Sequence, residues 1–201
     1  MPLTRPQRPF AAIVLAAGKS TRMKSKTPKA LHHIAGQPII SHIFDALKAA
    51  GASRIVTVVG YQGEKIREHL GDKSEFVEQV EQRGTGHAAQ MAAPLLGDWD
   101  GPVVIVPGDA PLITTEAISN LIEAHADGAA TLLTVRLSQP KGYGRVVRGA
   151  DSQVTHIVEE KDASVEQRGI DEVNVSIYAF NPSFLISSPP FTNTRKNASC
   201  P

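Results

Sequence analysis

The chain has 201 residues and only one cysteine, Cys200. It therefore has no internal disulfide and no cluster of thiolates that could hold a metal ion. It also lacks an excess of charge of either sign, since 21 Lys and Arg residues stand against 20 Asp and Glu. This balance argues against a broad electrostatic surface for nucleic acid or for an anionic membrane. Any phosphate binding must come from a few well-placed cations.

Long apolar runs are missing as well. The apolar run that follows the basic N-terminus, residues 11–17, ends at Gly18 and is too short to span a membrane. Together with the near absence of cysteine, this makes the cytoplasm the expected location. Hydrophobic residues still make up 41% of the chain, which is enough for the core of a globular domain.

Two familiar phosphate-binding motifs are absent. Gly18-Lys19-Ser20 matches the end of a P-loop, but Ile13 stands where that motif requires glycine. The G-x-G-x-x-G fingerprint of dinucleotide-binding domains does not occur after the first apolar run either. A phosphate site in this chain must therefore be built in another way.

What the chain does contain is an alternation of apolar, strand-like segments with amphipathic, helical segments. Strands that are apolar throughout are typical of a parallel sheet covered by helices on both faces, so we predict a three-layer α/β fold with a mostly parallel sheet. Residues 144–149 and 153–159 are predicted to form a short hairpin, which would be a small antiparallel addition to the sheet. The predicted strands are 10–15, 54–59, 75–80, 102–106, 130–137 and 173–180, and the predicted helices are 38–50, 63–70, 85–96 and 114–126.

Composition also predicts the domain limits. We expect a flexible N-terminus over residues 1–9 and one domain over residues 10–185. From about Ser187 the chain turns to Ser, Pro, Thr, Asn and Lys without periodicity, which predicts an irregular tail over residues 186–201.

The first candidate site is the turn after the first strand, which runs through Leu15, Ala16, Ala17 and Gly18. Small residues let the backbone approach a ligand, and successive N–H groups can surround phosphate oxygens. Arg22 and Lys29 follow, and both can bind phosphate. From the residues alone, an ordinary tight turn with solvated cations explains the pattern equally well.

Two further candidate sites follow later strands. The segment Pro107 to Leu112 comes directly after the strand PVVIV, where open α/β sheets bind ligands, and its carboxylate, Asp109, suits Mg²⁺. Asp109 could instead cap the helix that starts near Thr114, for which Thr115 is a possible N-cap. A glutamine- and glycine-rich segment could pair with a base edge, or could simply be a helix start capped by its threonine. Its residues are Gln79, Gln82, Gly84 and Thr85.

A fourth candidate site combines Gly144, Glu159 and Asn174. Glycine permits close approach of the backbone to a sugar, and a carboxylate and an amide can each bind sugar hydroxyls. On composition alone, however, the run Glu159-Glu160-Lys161 is equally typical of a solvated charged surface.

Taken together and in this order, the four segments resemble the uridyltransferase domain of the GlmU family. This is the family of bifunctional N-acetylglucosamine-1-phosphate uridyltransferases/glucosamine-1-phosphate acetyltransferases. The similarity covers residues 10–180 or so. It rests on LAAGKSTRMKSKTPKALH (15–32), EQRGTGHA (81–88), PGDAPL (107–112), GYGR (142–145) and IVEEKDA (157–163).

The resemblance implies a Rossmann-like nucleotidyltransferase fold, Mg²⁺ as cofactor, and UTP and N-acetylglucosamine-1-phosphate as substrates. The product would be UDP-N-acetylglucosamine, a precursor of peptidoglycan and lipopolysaccharide. Nucleotide would contact Leu15 to Gly18, Lys29, Gln79, Gln82, Gly84 and Thr85. The resemblance further places Arg22 and Lys29 in catalysis, Asp109 on the metal ion, and Gly144, Glu159 and Asn174 on the sugar.

The resemblance ends near Phe184. We therefore expect neither the acetyltransferase activity nor trimerisation through the β-helix domain of the family. We also expect a metal site in which Asp109 is the only matched ligand. Three hypotheses remain open: an active uridyltransferase, a catalytically impaired nucleotide-binding fragment, and a nucleotidyltransferase for another sugar-1-phosphate.

Overall fold

A computed structural model describes residues 8–18, 23, 25–125 and 130–187. Its backbone falls into two compact units. The first comprises the chain up to Thr131 and from Ala179 onward, and the second comprises Leu132–Tyr178. In the described part of the chain, no helix has both the length and the apolar character needed to cross a membrane.

The first unit is built on four parallel strands in the order β5-β4-β1-β6. Their bounds are β1 Phe10–Ala16, β4 Ala52–Val59, β5 Glu75–Glu78 and β6 Val103–Pro107. In register, Ile13 of β1 lies beside Val56 of β4 and Ile105 of β6. All carboxyl ends therefore meet at one edge of the sheet. A short hairpin of β2 His33–Ile34 and β3 Gln37–Pro38 stands apart from it.

Four helices follow these strands in the first unit, and a fifth closes the described chain. They are α1 Ile39–Ala49, α2 Gly63–Leu70, α3 Thr85–Ala92, α4 Thr115–Ala124 and α6 Pro182–Ser187. The segments Lys29–Leu31, Gly71–Lys73 and Ala93–Leu96 are 3-10 turns.

The core of the first unit lies on both faces of its sheet. On one face, the small residues Ala88, Ala89 and Ala92 of α3 pack against β1, β4 and β6 through alternating strand residues such as Ile13 and Val56. The intervening residues of β1 point to the opposite face, where α1 contacts both β4 and α4. Strands buried on both faces explain the continuous apolar runs, and the predicted three-layer α/β fold is confirmed.

The second unit is mainly antiparallel. It contains β8 Gly144–Arg148 and β9 Val154–Val158, which form the predicted hairpin, and the short helix α5 Val165–Arg168. Strand β8 also pairs antiparallel with β10 Glu172–Phe180, and β7 Ala130–Arg136 lies beside β10. The two-unit division places most of β7 and β10 here.

Two predicted helix caps are wrong. Helix α4 is capped by Thr114, whose side chain accepts a hydrogen bond from the backbone N–H of Ala117 at 3.1 Å, so Thr115 is the first helical residue and not the cap. Helix α3 has Gly84 at its N-cap, with φ of 101°, and no side chain caps it. Thr85 is the first helical residue and not the cap. The cap position has a positive φ, which glycine adopts readily and threonine does not.

Candidate functional site

A cavity of about 440 Å³ opens in the first unit at the carboxyl edge of the parallel sheet. Its wall is formed by the end of β1 and the residues after it, by the end of β6, and by the start of α3. Every described residue that the sequence assigns to nucleotide or metal lines it. The lining residues are Leu15, Ala16, Ala17, Gly18, Lys29, Ala30, Gln79, Gln82, Gly84, Thr85, Ala88, Pro107, Gly108 and Asp109.

Two glycines pack against the backbone at the end of β1 and in the loop that follows it. The N–H of Gly108 donates to the carbonyl oxygen of Leu15 at 2.8 Å, and a Cβ atom at Gly108 would lie 2.9 Å from that oxygen. On the other side, a Cβ atom at Gly60 would lie 2.7 Å from the carbonyl oxygen of Ala17. The loop is therefore held between two positions that leave no room for a side chain.

Opposite charges face each other in the cavity. The ammonium group of Lys29 donates to Oδ2 of Asp109 at 2.7 Å, although the two residues are 80 positions apart in the chain. Both side chains are more than one third exposed. Exposed ion pairs are weak, so a polyphosphate that enters the cavity can compete with the carboxylate for Lys29.

The two glutamines bind the loops around them. Gln82 donates its side-chain N–H to the carbonyl oxygen of Ala17 at 2.7 Å, which ties the segment before α3 to the loop after β1. Gln79 is buried, and its backbone N–H donates to the carbonyl of Val59 at 2.8 Å. Its side-chain nitrogen lies 3.2 Å from the carbonyl oxygen of Gly84.

The candidate sugar residues lie together within the second unit. Asn174 is in register with Gly144 on the neighbouring strand, and a Cβ atom at Gly144 would lie 3.6 Å from Oε1 of Glu159. The amide of Asn174 is oriented from both ends, since it donates to the hydroxyl of Tyr178 at 2.7 Å and accepts from the N–H of Ser176 at 3.0 Å.

A buried arginine stabilises the loop before β8. Arg145 donates to the carbonyl oxygen of Tyr143, and the backbone N–H of Gly142 donates to Glu160. The pKa of Glu160 is lowered, first by this bond from Gly142 and also by the nearby charge of Arg145. In the described part of the chain, Nε of Arg145 is buried without a hydrogen-bond partner.

Comparison with known proteins identifies the family of the chain. The model of the MobA-like NTP transferase domain matches residues 12–169, which include every residue named above as lining the cavity. The chain belongs to this family.

The MobA-like NTP transferase domain of this chain has close relatives of greater length. The chain is 45% identical over 185 residues to the bifunctional protein GlmU of Streptococcus agalactiae serotype V, and the aligned region covers 91% of this chain and 40% of that protein. It is 50% identical over 183 residues to the bifunctional protein GlmU of Geobacter metallireducens, which covers 89% of this chain and 38% of that protein. The chain thus spans about two fifths of the length of these curated relatives.

Solved structures share the fold at lower sequence identity. The crystal structure of HddC from Yersinia pseudotuberculosis matches with a TM-score of 0.71 and 21% identity, over 89% of this chain and 80% of that one. A second structure of HddC, complexed with GMP-PN, matches with a TM-score of 0.70. These likenesses support the Rossmann-like nucleotidyltransferase fold that the sequence predicts.

One predicted catalytic residue of the transferase domain, Arg22, lies outside the described residues, as do its neighbours 19–21. Conversely, sequence reasoning missed the packing role of Gly60. A glycine directly after the strand RIVTVV was a usable signal, because a glycine at the carboxyl end of a buried parallel strand often marks a close backbone approach.

Proposed function

We propose that the chain transfers UMP from UTP to N-acetylglucosamine-1-phosphate and releases pyrophosphate. One observation carries this proposal: the backbone loop after β1, a lysine, a carboxylate and two glutamines surround a single cavity of about 440 Å³. That size and combination suit a nucleotide, which needs a cation for phosphate and amide groups for a base. The similarity to proteins named bifunctional protein GlmU supports this choice of substrates.

The sugar phosphate would be bound by groups of the second unit. Glu159 can accept hydrogen bonds from sugar hydroxyls, and Asn174 is held in one orientation by Tyr178 and Ser176. At Gly144 the backbone is bare, and a Cβ atom there would already approach Ile157 at 3.1 Å. These contacts support a small, polar sugar subsite, and the assignment of these residues to it is part of the proposal.

The reaction needs no general base from the protein. A phosphate oxygen of the sugar phosphate is already anionic near neutral pH and attacks the α-phosphorus of UTP. A new P–O bond forms there while the bond to the bridging oxygen breaks, and its electron pair leaves with pyrophosphate. Catalysis then depends on positioning and on neutralising the charge of the phosphates, for which Lys29 lies in the cavity. We assign Arg22 the same role by its place in the motif.

Asp109 fits a magnesium ion. It is the carboxylate that lines the cavity, and Mg²⁺ is commonly held by one or two carboxylates together with substrate phosphates and water. When bound, the ion would neutralise phosphate charge and orient the triphosphate. Among the described residues, no group of three or more His, Cys, Asp or Glu side chains is placed to hold a metal without substrate. We therefore propose that Mg²⁺ enters together with the nucleotide.

A pyrophosphate-release assay tests the proposal. Purified chain is incubated with Mg²⁺, each of UTP, CTP, ATP and GTP, and each of N-acetylglucosamine-1-phosphate, glucosamine-1-phosphate and glucose-1-phosphate. We expect the highest kcat/KM for UTP with N-acetylglucosamine-1-phosphate. Preference for another pair would assign the chain to a different nucleotidyltransferase, and binding without turnover would identify an impaired nucleotide-binding fragment. A cytoplasmic location remains a prediction from composition, and a supply of precursors for peptidoglycan and lipopolysaccharide remains a prediction from the resemblance.

A further inference from the structure

The side-chain amide of Gln79 has two acceptors on its nitrogen. Nε2 lies 3.2 Å from the carbonyl oxygen of Gly84 and 2.9 Å from Nδ1 of His87. The side chain lines the cavity, and the residue is only 4% exposed. All three residues belong to the first unit: Gln79 directly follows β5, Gly84 is the N-cap of α3 and His87 lies in the first turn of that helix.

The carbonyl of Gly84 determines which way the amide faces. A carbonyl oxygen can only accept a hydrogen bond, so the nitrogen of the amide must face it. A flipped amide would place two oxygen atoms 3.2 Å apart without a proton between them. The orientation of Gln79 is therefore fixed by chemistry, independently of how oxygen and nitrogen are told apart.

His87 completes this arrangement. The amide nitrogen carries two protons, and Gly84 takes one of them. Nδ1 of His87 must then accept the other, which requires a neutral ring that carries its proton on Nε2. With both protons used inside the protein, the side chain of Gln79 keeps only the acceptor oxygen Oε1 for a ligand.

We propose that His87 is a positioning residue that selects uracil over cytosine by holding Gln79 as a pure acceptor. This inference rests on the proposed function. Uracil has one N–H donor on its pairing edge, N3–H, between two carbonyl oxygens, so an acceptor-only amide can meet uracil only there. Cytosine has an unprotonated nitrogen at the same place, and two acceptors would face each other. A site built around one hydrogen bond rejects the analogue that leaves it unpaired.

Replacement of His87 tests the inference. His87→Ala removes the second acceptor, so the buried amide is held through the carbonyl of Gly84 alone, and its other N–H has no partner in the protein and becomes available to an acceptor on the base. We expect the ratio of kcat/KM for UTP to that for CTP to fall by roughly tenfold, the worth of about one hydrogen bond. His87→Asn is the matched control, because its side-chain oxygen can accept where Nδ1 does, and it should keep most of the ratio.

A second measurement does not depend on the variants. Long-range ¹H–¹⁵N correlation spectra of ¹⁵N-histidine-labelled protein, assigned by the signal lost in His87→Asn, report the tautomer of His87. We expect a proton on Nε2 and none on Nδ1. A proton on Nδ1 would overturn the inference, since Nδ1 could then not accept from Gln79.

The outcomes separate this inference from the proposed function. If wild-type protein prefers UTP and His87→Ala keeps the full UTP/CTP ratio, the inference fails and the proposed function stands. If wild-type protein uses CTP or a purine triphosphate better than UTP, both fail. If no turnover occurs, the same ratio is taken from calorimetric binding of UTP and CTP with Mg²⁺, and binding of neither overturns both.

Discussion

At the scale of single residues, the contact between Lys29 and Asp109 is close but contributes little to stability. The pair is short, at 2.7 Å, but both side chains are more than one third exposed. Such pairs contribute at most about 1 kcal/mol to stability. Lys29 is therefore available to a phosphate without a large loss of folding energy.

Lys29→Ala should reduce catalysis and leave stability nearly unchanged. Loss of a cation aimed at the transferred phosphate should lower kcat/KM for UTP by roughly 10²–10³-fold, by analogy with lost oxyanion donors. The midpoint of thermal unfolding should shift little, because the ion pair is exposed. Pyrophosphate release and circular dichroism melting measure the two effects.

Lys65→Ala provides the matched control. Lys65 is also an exposed lysine of the first unit, but its ammonium group bonds to the carbonyl of Lys26 and to Gln62, outside the lining of the cavity. Its loss should leave kcat/KM within about twofold of wild type, because the charge that is removed lies outside the lining of the cavity and is screened by solvent. Equal losses in the two variants would mean that net charge, and not the position of Lys29, matters.

The position of most candidate residues could be predicted from sequence because parallel strands end at one edge. Leu15, Gln79 and Asp109 each lie at or shortly after the end of a strand-like run, so the α/β topology brings them together around one cavity. Their direct partners could not be predicted. The bond from Gln82 to the carbonyl of Ala17 joins positions 65 apart, and nothing in the local pattern selects one acceptor among many. The roles of these residues remain predictions.

At the scale of secondary-structure elements, the strands and helices follow their apolar periodicity closely. Helix α2 Gly63–Leu70 matches its prediction, and α1 Ile39–Ala49 differs by one residue at each end. The hairpin of β2 and β3 was not predicted, because each strand has only two residues and cannot show an alternation of apolar and polar side chains. Strand β3 also contains Pro38, and proline is uncommon within strands.

Helix starts were harder, because adjacent residues compete for the cap. Thr114 and Thr115 are chemically identical, and only the backbone decides between them. Thr114 has the extended backbone that a cap requires, with φ of −100° and ψ of 153°, and its hydroxyl accepts from Ala117. The sequence carries no signal for this choice.

Thr114→Ala should destabilise the protein by about 1 kcal/mol, because the N–H of Ala117 loses its partner. Thr115→Ala should cost less than about 0.5 kcal/mol, since alanine is the better helix former at the first helical position. Urea unfolding of both variants measures the difference. A larger loss for Thr115→Ala would show that the cap lies one residue later than the structure has it.

At the scale of the whole molecule, the near-zero net charge conceals strong local pairing in each unit. In the first, Arg54 bonds to both Glu75 and Asp98, at 2.5 and 2.7 Å, which lowers the pKa of each carboxyl. In the second, Arg148 binds both carboxylate oxygens of Glu172, at 2.8 and 2.6 Å. Composition predicts the balance of charge but not these partners.

The pair in the second unit makes its stability depend on pH. Glu172 is 5% exposed, and the hydrogen bonds from Arg148 lower its pKa from 4.5 to about 2. A carboxyl whose pKa is lower in the folded state stabilises that state above the unfolded pKa. The contribution is therefore complete above about pH 4.5 and is lost as the pH falls from there toward 2.

Glu172→Gln should accordingly destabilise the protein at pH 7 and much less at pH 3. We expect a loss of about 2 kcal/mol at neutral pH, below the about 3–5 kcal/mol of a fully buried pair because Arg148 is 39% exposed. Asp171→Asn is the control: this neighbouring carboxylate pairs with Arg136 where both side chains are more than half exposed, so its loss should be small at any pH. Urea unfolding followed by circular dichroism at pH 7, 5, 4 and 3 measures both. Only ionised Glu172 binds Arg148 through two charge-assisted bonds. The difference in free energy of unfolding between wild type and Glu172→Gln should therefore narrow below pH 4.5. A difference that stays constant to pH 3 would mean that packing, and not the ion pair, makes Glu172 stabilising.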